Sequence, residues 1–178
     1  MAAPQPAPVP ATPATPLDLV RAHLAAEDAG DLDATMATFT QDCWYAIPAQ
    51  DYHLRGYAAV RGHYERLLTT FPDLRNTEVE LYDAGTHVFA TMTVRRRHLG
   101  MWGPFPPTGA EVVTHALAVF PIAADGLLQA EIVHINPLEG LLQIGAVPTS
   151  DVLQLAGRYD ALLRGQRPGA RHEEQSTR

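Results

Sequence analysis

Two polar side chains near the end of the sequence, His134 and Asn136, are spaced so that they could act together. They lie in AEIVHINPLEGLLQIG (residues 130–145), which begins as a β-strand and then meets Pro137. Residues two apart on a strand share a face, so both side chains point the same way, with Ile132 behind them. An imidazole can take a proton near neutral pH, whereas an amide can only orient or stabilise a neighbouring group. We therefore predict a base, His134, beside a carbonyl-orienting amide, Asn136, at a cavity wall.

A less reactive interpretation fits the same pair. Asn before Pro favours a turn, and the two side chains could meet solvent or cap a following helix. A slip of one residue in strand register would also turn His134 outward.

Composition argues against several classes of function. The chain has 178 residues, which suits one domain plus terminal extensions, and 46% of them are hydrophobic, enough for a core. The net charge of -7 argues against binding to nucleic acid or to a membrane surface. All 13 basic residues are Arg, which removes lysine Schiff-base chemistry. We expect neither a nucleic-acid nor a membrane partner.

The single cysteine, Cys43, rules out an internal disulfide and a Cys-rich zinc site, and it indicates a reducing compartment. No segment is long and apolar enough to span a bilayer, and the N-terminus lacks the pattern of a secretory signal. No group of His and carboxylate residues shows metal-ligand spacing. The sequence therefore predicts a cytoplasmic protein with no metal and no other cofactor.

The first half of the chain carries helix start and stop signals and is predicted to be mainly helical. After an Ala/Pro-rich leader over residues 1–15, predicted to be disordered, a helix starts at Pro16 and stops at Gly30. Asp31 caps a second, short helix, and the segment DCWYAIP follows as a strand. After a polar loop, a third helix covers GYAAVRGHYERLLTTF until Pro72 stops it.

The second half is rich in strands. Four β-rich segments, TEVELYD, THVFATMTVRRRHL, EVVTHALAVFPI and LLQAEIVHIN, are separated by short turns and predict an antiparallel meander. The fold class is therefore α+β. We predict a cone-shaped α+β barrel over residues 16–148, in which a curved antiparallel sheet wraps three N-terminal helices. An extra C-terminal helix, capped by Ser150, occupies residues 149–164, and residues 165–178 form a disordered tail.

Three stretches carry a family resemblance: HLAAEDAGDLDATMATFTQDCWYAIP, LRGYAAVRGHYERLLTTFPDL and RHLGMWGPFPPTGAEV. With them the chain, from about Leu17 to Val147, resembles the SnoaL-like polyketide cyclases of the nuclear transport factor 2-like superfamily, which also holds ketosteroid isomerase. The resemblance implies a curved sheet with three helices, a deep apolar pocket and often a dimer through the outer sheet face. It also implies metal-free abstraction of a carbon-bound proton next to a carbonyl group.

The catalytic groups of these relatives do not carry over unchanged. The position of the isomerase base holds Ile47, and the positions of its two oxyanion donors hold His23 and Ala118. The aspartate of SnoaL-like cyclases falls on Asn136. Since an amide cannot abstract a proton, we predict His134 as the base, with Asn136 and His23 as the other catalytic residues.

Further residues are predicted to bind substrate. A hydrogen bond between His23 and Tyr64 would also give both a purely structural role. His98 beside three arginines could simply be solvated, and the rim loop around Trp102 could only close the core. The predicted substrate-binding residues are Tyr45, Ile47, Tyr64, His98, Trp102, Phe105, Ala118, Phe120 and Ile132.

These patterns favour one function over three alternatives. The favoured function is cyclisation or isomerisation of an apolar polycyclic carbonyl compound by acid–base chemistry in a homodimer. The first alternative is a non-catalytic binding or accessory protein, because the family carboxylates are missing. The second is a water-using relative that opens epoxides or assists hydroxylation, which would need an inward carboxylate. The third is an interaction module without a cavity.

Overall fold

The structure is a computed structural model that describes residues 15–164. The predicted leader and the predicted tail lie outside the described residues, apart from Thr15. Thr15 does not belong to a disordered leader, because its Oγ1 accepts a hydrogen bond of 3.1 Å from the backbone N of Asp18 and so caps the first helix.

The three predicted N-terminal helices are present. They are α1 (Pro16–Ala29), α2 (Leu32–Ala37) and α3 (Tyr57–Thr70). Gly30 ends α1 with φ of 69°, a left-handed conformation that glycine adopts without strain. Asp31 caps α2 by accepting a hydrogen bond of 2.9 Å from the backbone N of Ala34.

Six strands form one sheet in the order β2-β1-β6-β5-β4-β3. All neighbours pair antiparallel except β1 and β6, which pair parallel. The short β2 lies where the sequence indicates a polar loop, and it pairs with β1 through alternating half-buried and exposed residues. The strands are β1 (Phe39–Ile47), β2 (Tyr52–Arg55), β3 (Arg75–Asp83), β4 (His87–Arg97), β5 (Glu111–Pro121) and β6 (Leu128–Ile135).

The predicted α+β cone is confirmed. The core forms between the helices and the concave face of the sheet. Its most buried side chains, each at most 1% exposed, include Leu19 and Val20 of α1, Val60 of α3, and Val88 and Phe120 of the sheet. Burial of such side chains is the main stabilising term of the fold.

Two helices follow the sheet: α4 (Pro137–Gln143), which the sequence analysis did not assign, and α5 (Thr149–Leu163). Ser150 does not cap α5, because the helix begins one residue earlier, after Pro148. No residue of α5 is buried, and Leu153, Leu155 and Tyr159 are each more than 60% exposed. Within residues 15–164, no helix combines the length and the apolar character needed to cross a membrane.

Candidate active site

The register of β6 decides which of its side chains face the inside of the cone. Leu117 pairs with His134 and Ala118 pairs with Val133 across the antiparallel β5–β6 ladder. Residues paired in this way point to the same face. Ala118 is 1% exposed whereas Leu117 is 38% exposed. Val133 therefore points inward and His134 outward.

The prediction that His134 and Asn136 face a cavity is wrong. His134 is exposed on the convex face of the sheet, and Ile132, which shares its parity, does not line the cavity either. Asn136 is the N-cap of α4, where its Oδ1 accepts a hydrogen bond of 3.1 Å from the backbone N of Leu138. His134 meets solvent and Asn136 caps a helix, the two outcomes that the less reactive interpretation described.

A cavity of about 300 Å³ opens between the helices and the concave face of the sheet. One part of its wall is apolar and includes Leu67, Phe71, Leu74, Met92, Val94, Ala116 and Val133. The other part carries groups that can exchange or hold protons: Glu27, Tyr45, His63, Asn76, Arg96 and Glu131. An apolar pocket with a few convergent polar groups is the usual form of a small-molecule site.

Glu131 is the carboxylate that β6 presents to this cavity. It is 5% exposed, and its Oε2 accepts a short hydrogen bond from the hydroxyl of Tyr64. Its other oxygen, Oε1, makes no hydrogen bond to any residue in the range 15–164. Glu131 therefore has one oxygen fixed by the protein and one free for a ligand.

His23 lies behind Glu131 and is fully buried. The hydroxyl of Thr38 donates its proton to the backbone oxygen of Thr35 over 2.6 Å, so it must accept the 2.9 Å hydrogen bond from Nδ1 of His23. The other ring nitrogen, Nε2, lies 3.3 Å from the Tyr64 hydroxyl and 3.5 Å from Oε2 of Glu131. The predicted His23–Tyr64 hydrogen bond is present.

The charge of His23 responds to the carboxylates around it. Burial lowers the pKa of His23, but the hydrogen bond with Glu131 and the negative charges of Glu27 and Glu131 together outweigh burial, so the pKa is raised above 6.5. A protonated His23 offers Nε2–H to the Tyr64 hydroxyl and to Oε2 of Glu131.

Glu27 follows His23 by one turn of α1, so the two side chains share a face of the helix. Burial raises the pKa of Glu27 to about 8, and the charge of Glu131 adds to this rise. Its Oε2 accepts a hydrogen bond of 3.2 Å from the side-chain amide of Asn76. Glu27 is therefore mainly a neutral acid at pH 7, able to donate a proton or a hydrogen bond.

The potential ligand atoms of His23, Glu27 and Glu131 all lie within 4.8 Å of one another. The sequence analysis expected no such cluster, because its members are far apart in the chain. The set could coordinate a cation through one nitrogen and two carboxylate oxygens. The same atoms already exchange hydrogen bonds with Tyr64 and Asn76, an arrangement that suits proton transfer among buried groups.

His63 adds a polar donor on the α3 side of the cavity. The Tyr52 hydroxyl accepts a hydrogen bond of 3.1 Å from Arg66 and contacts Nδ1 of His63 at 3.3 Å, so its proton points to that nitrogen. Burial lowers the pKa of His63 to about 4, which leaves a neutral ring with its proton on Nε2. This Nε2 is buried and has no hydrogen-bond partner among the described residues.

The other predicted site residues divide into three groups. Tyr45, Ile47, Trp102 and Ala118 lie in the cavity wall. Tyr64, Phe120 and His98 are fully buried but do not line the cavity; His98 does not reach the cavity mouth, because it packs against Phe71 and Trp102 with ring centroids 6.0 Å apart. Phe105 does not line the cavity, because it pairs with Trp102 within the rim loop.

Sequence reasoning missed most of the cavity wall, including five polar residues that matter for its chemistry. Two signals could have found the carboxylates: Glu27 stands four residues after His23 on a helix, and Glu131 shares strand parity with the apolar Val133 and Ile135. Nothing in the local sequence marks the other three, because they come together only in the folded cone. The five polar residues are Glu27, His63, Asn76, Arg96 and Glu131.

The fold and the cavity define the class of this protein: an α+β cone with an apolar small-molecule pocket and a buried acid–base cluster. Residues 20–131, more than half of the chain, match the SnoaL-like domain, and the chain belongs to this family. No curated protein sequence matches the chain.

Several solved structures share the fold. A proposed polyketide cyclase from Pseudomonas putida has 26% sequence identity and a TM-score of 0.67, with 72% of this chain and 97% of that chain covered. TsrD from Streptomyces laurentii has 26% identity and a TM-score of 0.64, covering 74% and 95% of the two chains. AclR, a proposed hydroxylase from Streptomyces galilaeus, has 24% identity and a TM-score of 0.65, covering 75% and 97%. The family and the Pseudomonas putida structure support a cyclase-like or isomerase-like role, and the AclR structure supports the fold.

Proposed function

We propose that this protein cyclises or isomerises an apolar polycyclic carbonyl compound by metal-free acid–base chemistry, with Glu131 as the base. One observation carries the proposal: Glu131 is a buried carboxylate in the cavity wall with one oxygen held by Tyr64 and the other without a hydrogen bond to any described residue. A carboxylate in an apolar site is less solvated than in water and can take a proton from carbon.

The reaction begins with proton transfer from carbon. Glu131 takes the proton from a carbon next to the substrate carbonyl, and the electrons of the C–H bond move to the carbonyl oxygen, giving an enolate. In cyclisation, the enolate carbon bonds to a second carbonyl carbon of the same molecule, whose oxygen takes the proton back from Glu131. In isomerisation, Glu131 returns the proton to a different carbon. Both routes restore the Glu131 carboxylate.

The enolate oxygen needs hydrogen-bond donors. Neutral Glu27 and the hydroxyl of Tyr45 line the same cavity as Glu131. Burial raises the pKa of Tyr45 well above 10, as does the charge of Glu131, so its hydroxyl stays protonated. Each donor placed on an oxyanion in a site without water can stabilise the transition state by about 3 kcal/mol.

Proton abstraction can be tested without knowing the natural product. Cyclic 1,3-diketones and aryl ketones are incubated with the enzyme in D₂O, and exchange of the proton next to the carbonyl is followed by NMR. We expect the Glu131→Gln variant to lose about 10²-fold or more of the exchange rate, because an amide cannot act as the base. Glu131→Asp should keep part of the activity.

The matched control is His134→Ala. His134 lies on the same strand but on the outer face, so its loss should leave exchange unchanged. Exchange that survives in Glu131→Gln and disappears in His134→Ala would overturn the assignment of the base. Tight ligand binding with no exchange by wild-type protein would favour the non-catalytic alternative.

The inward carboxylate also suits the water-using alternative. Glu131 could hold a water and take one of its protons while the water oxygen bonds to an epoxide carbon; the epoxide C–O bond breaks, and its oxygen then takes the proton from Glu131. The two functions differ in the product, since a cyclase or isomerase product retains the substrate's atoms apart from any water lost, whereas epoxide opening adds one water. Product mass after reaction in ¹⁸O-labelled water separates them.

We propose further that the protein is a homodimer that pairs through its outer sheet face. Support comes from the apolar side chains on that face, since Tyr82 is 52% and Leu117 is 38% exposed.

We also propose a cytoplasmic location, which the free, buried thiol of Cys43 supports.

A further inference from the structure

Arg96 is a buried cation in the cavity wall without a counterion. It is 9% exposed, and its Nε is buried with no hydrogen-bond partner among the described residues. Within residues 15–164 it forms no salt bridge, whereas its neighbour Arg97 pairs with Asp73 at 2.7 Å. Buried charges are normally paired, so an unpaired guanidinium in a cavity points to a ligand.

The protein supports the charge of Arg96 only weakly. Its guanidinium lies over the ring of Phe71, 4.7 Å from the centroid, a cation–π contact. Burial lowers the pKa of Arg96 to about 10, and Tyr45 opposes this. Arg96 therefore stays charged at neutral pH, and no carboxylate of residues 15–164 pairs with it.

The other buried charged groups around the cavity balance one another. His23, whose pKa is raised, faces Glu131 at 3.5 Å, and Glu27 is mainly neutral below pH 8. Arg66 also lines the cavity, but it is exposed and donates a hydrogen bond to the Tyr52 hydroxyl. The buried positive charge on Arg96 is the one that a ligand would have to neutralise.

We propose that Arg96 binds a delocalised oxyanion of the substrate, either a carboxylate or the ionised enol of a 1,3-dicarbonyl group. A planar guanidinium can hold two oxygens that share one negative charge. Bound in this way, the substrate lies along the Phe71 and Val94 wall, with its reacting carbon toward Glu131. The inference rests on the proposed function only in taking this cavity as the substrate site.

Binding of matched acidic and neutral probes tests the proposal. The probes are 2-naphthoate, its methyl ester, and 2-acetyl-1-tetralone, a 1,3-diketone, at pH values below and above its ionisation. Affinities are measured by calorimetry in the Glu131→Gln background, where no turnover interferes. We expect that protein to bind 2-naphthoate at least about tenfold more tightly than the ester. Binding of the diketone should strengthen on its ionisation if the enolate is accepted.

The matched variants are Arg96→Met and Arg95→Met. Both remove one charge from β4, but Arg95 is exposed on the opposite face of the strand. Arg96→Met should abolish the preference for the acidic probes, and Arg95→Met should keep it. Arg96→Lys keeps the charge and should retain part of the preference, which covers the case in which the Met variant does not fold.

Two results would overturn the proposal: equal or tighter binding of the ester, or a preference for 2-naphthoate that persists in a folded Arg96→Met variant. The outcome is independent of catalysis. A protein that prefers the acidic probes but shows no deuterium exchange would keep the Arg96 site and refute the proposed function alone.

Discussion

At the scale of single residues, the two carboxyl groups of the cavity, Glu27 and Glu131, differ in their surroundings. Glu131 accepts a hydrogen bond from Tyr64 and faces His23. Among the described residues, the amide of Asn76 is the one hydrogen-bond donor to the Glu27 side chain, and burial and the nearby charge of Glu131 raise the pKa of Glu27 to about 8. Unlike environments for two close carboxyl groups are what separates an acid from a base in one site.

The raised pKa of Glu27 makes stability depend on pH. The pKa of Glu27 is near 4.5 in the unfolded chain and about 8 in the folded chain. Between these values Glu27 ionises more readily in the unfolded chain, which favours unfolding. The stability from neutral Glu27 is thus fully present below pH 4.5 and is lost as the pH rises through 8. We expect Glu27→Gln to flatten the fall in Tm between pH 5 and 8, a difference on the order of 4 kcal/mol at pH 8.

Thermal denaturation across this pH range measures the effect. Glu65→Gln is the control, since Glu65 is an exposed residue of α3, and it should keep the wild-type slope. If Glu27→Gln also kept that slope, Glu27 would not be the buried acid described above.

At the scale of elements, start and stop residues in the sequence predicted the first two helices well. Pro16, Gly30 and Asp31 act through local backbone geometry and capping, which depend on few neighbours, and the structure uses all three as expected. The strand β2 was missed because its pairing with β1 is a tertiary contact. Its sequence alone, with two polar residues in four, does not separate it from a loop.

Strand β6 shows where sequence reasoning failed. One face carries Val133 and Ile135 and the other carries His134 and Asn136, so hydrophobic alternation alone puts the polar pair outside. The resemblance to cyclases with an aspartate on the last strand instead suggested that the pair faces inward. A shift of one residue in register exchanges the two faces. The pairing of β6 with β5 places Val133 inside and His134 outside, as hydrophobic alternation indicates.

Helix α4 holds the rim loop in place through a glycine. A Cβ added at Gly140 would lie 2.6 Å from Cη2 of Trp102, closer than atoms can approach, and Trp102 lines the cavity. We expect Gly140→Ala to push the indole out of position, destabilise the fold by about 1 to 3 kcal/mol and weaken binding of 2-naphthoate. Thermal denaturation and calorimetry measure both effects.

Gly157→Ala provides the control for Gly140→Ala. Gly157 also lies within a helix, α5, but a Cβ there would have no neighbour within 4 Å. It should leave ligand binding unchanged and should stabilise the helix slightly, since Ala is the better helix former. Equal ligand affinity in wild type and Gly140→Ala would show that the contact does not position the indole.

At the scale of the whole molecule, the cone is complete without α5. The core is built from α1, α3 and the sheet, and no residue of α5 is buried. The apolar side chains of the outer sheet face, Tyr82, Phe89 and Leu117, belong to β3, β4 and β5 and not to α5. Stability of the domain and any pairing through the sheet should therefore not depend on the C-terminal helix.

A chain that stops after Pro148 tests this separation. Since the deletion removes no buried side chain of the described structure, we expect Tm to change by less than about 3 °C. Light scattering after size exclusion should give a dimer for both the full chain and the shortened chain, because the proposed interface is the sheet. A dimeric full chain with a monomeric shortened chain would move the interface to α5. A monomer in both cases would refute the homodimer. Leu117→Glu in the full chain should give a monomer, because it would bury an unpaired charge in the proposed interface.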